Sequence, residues 1–301
     1  IQQAISNADR EMQKEGIVAV GDISNNEDSF RVKSKSSIYY HSFAEIFDTS
    51  LEGAEEAFKR GIMLKEAGKK KWKIPVSVTP HAAYSVSSNL FYLIRENLND
   101  KENLISVHNQ ESIYEDVFVN ELKGSFKDLF TSLEFDLSGM KPTGKSSLEY
   151  LDQVLPGKPN RLFIHNVHSS KEEINKMHSD KGKNYWVLCP RSNKYINGEL
   201  PPSFFFHDHP TQLCIGTDSL ASNTSLSLIE EIKILQNAFK ISLSELLKFI
   251  TINGARALNI DKIYGSFEKG KKPGLNLIKG IDYSSFMLTP ETIIKPFKFR
   301  K

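Results

Sequence analysis

The chain has 301 residues, with 39% of them hydrophobic, 25% charged and a formal net charge of +2. These values are those of a globular protein and exclude general disorder. The near-neutral charge leaves no broad basic footprint for nucleic acid, and no apolar run approaches the ~20 residues of a membrane helix. Two cysteines, Cys189 and Cys214, without a Cys-x-x-Cys spacing, argue against a disulfide framework and for a reducing, cytoplasmic setting. No signal peptide opens the chain.

The first fifteen residues read as the middle of a helix. Ile1, Ala4 or Ile5, Ala8 and Met12 recur at helical spacing, without an initiator Met or a cap before the first turn. The reading therefore expects a segment upstream. Ile17 to Val20 is an apolar strand running into the polar Gly21-Asp22-Ile23-Ser24, and residues 37–43 form a second strand. A helix follows with Leu51, Ala54, Phe58 and Ile62 on one face, Thr49 or Ser50 as its cap and Gly68 at its end.

Residues 74–79 are a third strand, ending at Pro80-His81-Ala82, and Ser87 or Ser88 caps the helix through Leu90, Leu93 and Ile94. Residues 104–107 are a fourth strand, ending at His108. Residues 112–155 hold two or three short helices and a loop with Gly139, Pro142 and Gly144, and are expected to shape a pocket. Strands at 161–164, 185–188 and 213–216 end at His165, at Cys189-Pro190-Arg191 and at Thr217-Asp218. Residues 171–178 are helical between the first two of these. Two helices close the repeat. Leu228, Ile232, Leu235 and Phe239 line the first, and Ser242 with Glu245 makes a capping box for the second. From Gly265 onward, Gly, Pro and Lys surround short β-like runs at 275–278 and 293–295, and the tail from Lys295 to Lys301 is basic and solvated.

Strand-then-helix repetition demands parallel strands, because a parallel pair needs a crossover. Seven strands is one short of a closed (β/α)8 TIM barrel, with a doubly wound sheet as the competitor. No Gly-rich phosphate loop is present. His81, His108, His165 and Asp218 each stand at or just after a strand's C-terminus, where a parallel barrel gathers its chemistry. Any single His is more often structural, but four such positions in register point to a metal or proton-transfer site, since imidazoles with a carboxylate are ligands of catalytic zinc or iron. Glu111, three residues past His108, can move a proton from a metal-bound water. Its bland alternative is a helix-capping carboxylate in a first turn.

Eight segments occur in order: Val18-Ala-Val-Gly-Asp22, Pro80-His-Ala-Ala-Tyr-Ser-Val86, His108-Asn-Gln-Glu-Ser112, His165-Asn-Val-His168, Cys189-Pro-Arg-Ser-Asn193, Gly216-Thr-Asp-Ser-Leu-Ala-Ser-Asn223, Asn253-Gly-Ala-Arg-Ala-Leu258 and Gly265-Ser-Phe-Glu-Lys-Gly270. Together the set resembles the amidohydrolase superfamily, in its cytosine-deaminase-like, aminohydrolase and chlorohydrolase branch. The resemblance implies a TIM barrel over residues 1–264 whose first strand is missing. Residues 265–301 would then be the remnant of a small composite β-sandwich domain.

It also implies roles. His108 matches the fifth-strand metal ligand. Asp218 matches the eighth-strand ligand that takes a proton from the water. Glu111 matches the carboxylate that contacts substrate and shuttles that proton. His165 matches the sixth-strand His that binds metal or polarises the attacked centre. His81 matches a substrate contact, and Asn193 lines the pocket. His41 and Glu45 are substrate contacts or structural residues. One divalent metal, zinc or iron, is implied, with two further ligands from an upstream His-x-His that this chain lacks. His207-Asp208-His209 is not that pair: it precedes the last barrel strand and reads as a surface loop at the opposite end, as His168 and His178 read as surface or supporting residues. Cys189 without a second Cys three residues on argues against the cytidine-deaminase fold, and reads as a strand-end packing residue.

The expected function is a metal-dependent hydrolase of non-peptide C–N bonds, an aminohydrolase of a purine-like or related heterocycle acting through metal-activated water. The alternatives are cleavage of a halide or cyclic amide, or a non-catalytic barrel lacking the His-x-His ligands. The expected partner is a small-molecule substrate, with no nucleic acid or membrane, and homo-oligomerisation is left open.

Overall fold

The computed structural model describes residues 1–100, 102–177 and 183–297. In chain order it contains α1 (Gln2–Lys14), β1 (Ala19–Ser24), α2 (Phe30–Lys33), β2 (Tyr39–Ile46), α3 (Ala54–Ala67), β3 (Val76–Pro80), α4 (Ser88–Asn97) and β4 (Ile105–Asn109). Then come α5 (Ile113–Glu121), α6 (Ser125–Ser132), α7 (Ser147–Val154), β5 (Arg161–His165), α8 (Lys171–Lys176), β6 (Asn184–Leu188), α9 (Pro190–Ile196), α10 (Phe204–Asp208) and β7 (Leu213–Ile215). The last elements are α11 (Leu228–Phe239), α12 (Leu243–Phe249), α13 (Ile252–Ala257), β8 (Asn276–Asp282) and β9 (Met287–Pro296). All seven strands read before Gly265 are present, and the fold is α/β with parallel sheets. The chain divides into two compact units, one of residues 1–21, 28–41 and 186–301, the other of residues 22–27 and 42–185.

In the unit of residues 22–27 and 42–185, β2 and β3 run parallel with Ser42 opposite Val76 and Ile46 opposite Pro80. β4 and β5 run parallel with Ile105 opposite Arg161 and Asn109 opposite His165. The seam between β3 and β4 is made largely by side chains. The Leu104 N–H donates to Ser77 Oγ (2.8 Å) and the Ser106 N–H to Thr79 Oγ1 (2.7 Å). The Asn103 amide acts as a surrogate peptide, accepting the Val78 N–H and donating to the Val78 carbonyl, both at 3.2 Å. Each buried backbone group is thereby satisfied without a continuous ladder. Phe43, Ala44, Val78, Ile105, Val107 and Phe163 are buried, as are Leu90, Phe91 and Ile94 on α4 and Leu148 and Leu151 on α7. Strands apolar on both faces are the mark of a parallel sheet covered by helices.

The face of α3 differs from the expected one. Its buried residues are Ala54, Ala57 and Gly61, whereas Leu51 is exposed. Small residues let the helix come close to the strands: a Cβ at Gly61 would lie 2.7 Å from Val78 Cγ1 and 2.8 Å from Ile46 Cγ2. The N-cap is Gly53 rather than Thr49 or Ser50. Gly68 is the C-cap of α3 as expected, but it stays right-handed and opens a π-helical turn over Gly68–Trp72, closed by Lys73 at φ 57°. On α4 the expected Ser87 is the N-cap, and residues 112–155 supply the three helices α5 to α7.

In the unit of residues 1–21, 28–41 and 186–301, β6 and β7 run parallel with Trp186 opposite Leu213. Trp186, Leu188, Phe205, Ile232, Leu235, Leu246 and Phe249 form its core. The expected apolar face of α1 is not what anchors it: Ile1 is exposed and Asp9 is the buried residue. Asp9 accepts from Ser36 Oγ (2.5 Å), Tyr40 Oη (2.7 Å) and Gln13 Nε2 (2.8 Å). The β-like runs after Gly265 form a two-stranded antiparallel hairpin, β8 with β9. It is fixed to α11 by Gln236, whose amide bonds both the N–H and the carbonyl of Leu288. Ser242 caps α12 through the Glu245 N–H. The full reciprocal capping box sits instead at Ser170 and Glu173 on α8, which the sequence reading passed over.

Among the described residues no helix is long and apolar enough to cross a membrane. Cys189 and Cys214 are buried and neither forms a disulfide. His178 and the end of the basic tail, residues 298–301, lie outside the described residues.

Candidate active site

Parallel strands deliver their C-terminal residues to one edge, and in the unit of residues 22–27 and 42–185 that edge carries Glu45 (β2), His81 (just after β3), His108 (β4) and His165 (β5). The His81 and His108 rings lie 4.8 Å apart, and the His108 and His165 rings stack at 5.5 Å with an interplanar angle of 23°. His108 Nδ1 is 2.9 Å from the His81 carbonyl oxygen, to which it donates. That bond fixes the tautomer and leaves Nε2 as the imidazole's electron-pair donor. The short bridge between Ala82 and His108 holds the two strand ends together.

His165 is almost fully buried and has φ 77°, followed by Asn166 at φ 55°. Two consecutive non-glycine residues in the left-handed region are costly and persist only where neighbours over-determine them. Asn166 supplies that constraint. Its N–H donates to the Asn109 carbonyl (2.9 Å), and its side chain donates to the Phe163 carbonyl (2.7 Å) and accepts from Asn109 Nδ2 (3.1 Å). The strained turn aims His165 Nε2 at Glu111 Oε1, 3.5 Å away. Glu111 thus stands beside His165 and is not a first-turn cap. The capping side chain of α5 is Ser112, which accepts the Tyr114 N–H.

His81 takes Ser85 Oγ at 2.7 Å on its Nδ1 and packs edge-on against Tyr84 and Phe47. Burial, with the neighbouring His108, pushes its pKa down to about 3, so it is a neutral imidazole at pH 7. Glu45 sits in the same cluster. Its Oε1 is 3.7 Å from His108 Nδ1 and makes no hydrogen bond among the described residues, while Oε2 accepts from Asn25 Nδ2 at 3.1 Å. Glu45, His81 and His108 each offer a ligand atom within 4.8 Å of the others. Imidazoles with carboxylates are the donor set of zinc and iron, so the residues present fit a divalent cation. From the sequence alone Glu45 is a substrate contact or a structural residue; here it joins the two imidazoles. Its place could have favoured the site, because Glu45 is the one carboxylate of β2 and stands next to that strand's C-terminal residue.

In the other unit, Asp218 follows β7 at φ 55°. Its Oδ2 accepts from Ser192 Oγ (2.6 Å) and Ser222 Oγ (2.8 Å), which hold the carboxylate in one orientation. Behind them Glu231, fully buried, accepts from the Arg191 N–H (2.9 Å) and Asn223 Nδ2 (2.6 Å). Burial raises its pKa to about 7. Glu231 and its partners were not anticipated; a Glu-Glu pair in an amphipathic helix gives no sign of which member turns inward. Asn193 is fully buried on α9, whose start the Pro190 at its first position could have announced.

His207 and Asp208 are exposed at the end of α10, which precedes β7 in the chain. His209 departs from the expected surface loop: it is 5% exposed. His41 is buried on β2, and His168 lies beside Asp116, its N–H on the Gln110 carbonyl (3.0 Å).

The family model described as Amidohydrolase family matches residues 1–300. An adenosine deaminase of Helicobacter pylori is 29% identical over 285 residues, covering 92% of this chain and 67% of that protein. A 5'-deoxyadenosine deaminase of Methanobrevibacter smithii is 29% identical over 237 residues, covering 75% of this chain and 49% of that protein. The chain thus spans about two thirds of the length of the first relative and about half of the second. Among solved structures, the aminofutalosine deaminase of Helicobacter pylori superposes with a TM-score of 0.74 at 26% identity, covering 91% of this chain and 68% of that one.

Proposed function

The chain belongs to the amidohydrolase family, and from that membership we propose that it is a metal-dependent aminohydrolase. It releases ammonia from an amino-bearing purine-like ring, with adenosine-type nucleosides as the substrate class. The observation that carries this reading is the pairing of Glu111 Oε1 with His165 Nε2 at 3.5 Å beside the stacked His108. That geometry supports a proton carrier beside an imidazole and a metal-type ligand at neighbouring strand ends. The names of the relatives support the nucleoside.

In this reading the parallel strands belong to a (β/α)8 barrel over residues 1–264, with residues 265–301 in a small β domain. His108, His165 and Asp218 would hold one divalent cation, zinc or iron, and the chemistry it would supply is to lower the pKa of a water toward neutrality. Asp218, whose carboxylate is oriented by Ser192 and Ser222, would accept the proton of the attacking water. Glu111 carries the proton to a ring nitrogen and then to the departing amine. His165 stabilises the charge that develops at the attacked carbon. His81, kept neutral by burial, contacts substrate, and Asn193 forms part of the pocket wall.

The test is ammonia release by the natural full-length protein from adenosine, 5'-deoxyadenosine and guanine, with and without a chelator. Adenosine-type turnover that is lost with chelator, and lost by about 100-fold or more in Glu111→Gln and in Asp218→Asn, is the expected result. Chloride or ring-opened product without ammonia, or full activity in either variant, overturns it.

A further inference from the structure

Glu111 is held at its backbone as well as at its carboxylate. Its neighbour Gln110 is fully buried at φ 46° and is fixed on every side. The Gln110 side chain donates to Asp116 Oδ2 (3.0 Å) and Glu173 Oε1 (3.1 Å) and accepts from Ser169 Oγ (2.5 Å). Its carbonyl accepts the His168 N–H (3.0 Å). One residue beyond Glu111, Ser112 is the cap of α5. The Glu111 N–H points back into the protein and donates to Glu115 Oε2 at 3.3 Å. The other Glu115 oxygen accepts from Ser147 Oγ at the start of α7.

An acidic residue in a helix's first turn is ordinarily explained by the positive end of the helix. That account predicts an exposed side chain, as for Glu55 and Glu56 in the first turn of α3. Glu115 is only 1% exposed. Withdrawing a carboxyl from water is unfavourable, and the helix gains nothing from it. What the burial does accomplish is to satisfy the Glu111 N–H, next to the left-handed Gln110, and to tie it to α7. Burial also drives the carboxyl toward its neutral form; a glutamine of the same shape keeps one accepting oxygen for the Glu111 N–H and can donate its amide N–H to Ser147 Oγ, a hydroxyl that also accepts.

Resting on the aminohydrolase reading, we propose that Glu115 is the positioning residue for Glu111, pinning the turn after β4 to α7 so that the Glu111 carboxylate faces His165. The experiment is steady-state deamination of adenosine by Glu115→Leu and Glu115→Gln, each alone and combined with Glu111→Gln, together with amide hydrogen exchange over residues 109–112. Glu115→Leu lowers kcat by about 100-fold, the cost of misplacing a reacting group by an ångström, with KM nearly unchanged. Glu115→Gln restores most of kcat. In the Glu111→Gln background Glu115→Leu costs nothing further, and exchange at 109–112 accelerates in Glu115→Leu alone.

Wild-type kcat in Glu115→Leu, an equal loss in the Glu111→Gln background, or unchanged exchange overturns the proposal. Should Glu115→Leu not fold, Ser147→Ala loosens the same pin. A loss of about tenfold that vanishes in the Glu111→Gln background supports the proposal, and one that persists there refutes it. If the wild-type protein releases no ammonia from adenosine, the aminohydrolase reading fails, and the exchange of the Glu111 amide alone decides whether Glu115 is the pin.

Discussion

Glu115 has a consequence for stability that is independent of catalysis. Its carboxyl, withdrawn from water on α5 and with the charge of Asp116 nearby, is pushed from 4.5 up to about 8 in the folded protein. Between those two pH values the folded chain keeps a proton that the unfolded chain has released, so the unfolded state binds fewer protons and folding weakens as pH rises. The contribution is complete below about pH 4.5 and is lost through pH 8. At about 1.4 kcal/mol per tenfold change in proton concentration, the loss approaches about 5 kcal/mol, a large share of the 5–15 kcal/mol typical of folded domains. Asp116 and Glu231, both raised chiefly by burial, act in the same direction. The perturbation is Glu115→Gln, which is neutral at every pH. Urea unfolding at pH 5, 6, 7 and 8 should show wild-type stability falling steeply and the variant's falling much less, with the two closest at pH 5. Parallel pH profiles for wild type and variant would refute the reasoning.

Two further outcomes concern packing. Arg161 is fully buried on β5, donating to Asn184 Oδ1 (2.9 Å) and to Asp152 Oδ1 (3.0 Å). Asp152→Ala leaves that guanidinium without its carboxylate and should cost about 3 kcal/mol, read from the urea midpoint. A change under about 0.5 kcal/mol, the scale of an exposed pair, would contradict this. Gly61→Ala, whose Cβ would press on Val78 and Ile46, should destabilise by about 1–3 kcal/mol despite the higher helix propensity of alanine. A rise in melting temperature would show that α3 does not approach the strands this closely.

The site was partly legible. His81, His108 and His165 were found because a strand's end is visible where an apolar run stops, and parallel strands bring such ends together. Glu111 was found by its spacing from His108 and by resemblance. Glu115 and Glu231 were not, because an acidic residue on a helix carries no mark of whether it meets water or a buried amide. Glu45 was only glimpsed. Its placement beside His108 depends on the pairing of β2 with β3 and of β3 with β4, strands separated by whole helices.

The sequence by itself determined the alternation of strands and helices, hence parallel sheets, and which imidazoles and carboxylate stand at strand ends. Those follow from periodicity and from chain punctuation, which are local. Only the tertiary structure decided that Ala57 and Gly61 rather than Leu51 face the strands, and that Asp9 rather than an apolar stripe anchors α1. It alone showed that Ser77, Thr79 and Asn103 stitch β3 to β4, and that Gln110 and His165 occupy left-handed turns. Each of these is settled by a partner tens of residues away, often a hydroxyl, an amide or a backbone N–H. A hydrogen bond's worth depends on whether its groups are shut off from water, and nothing in the order of residues along a chain states that.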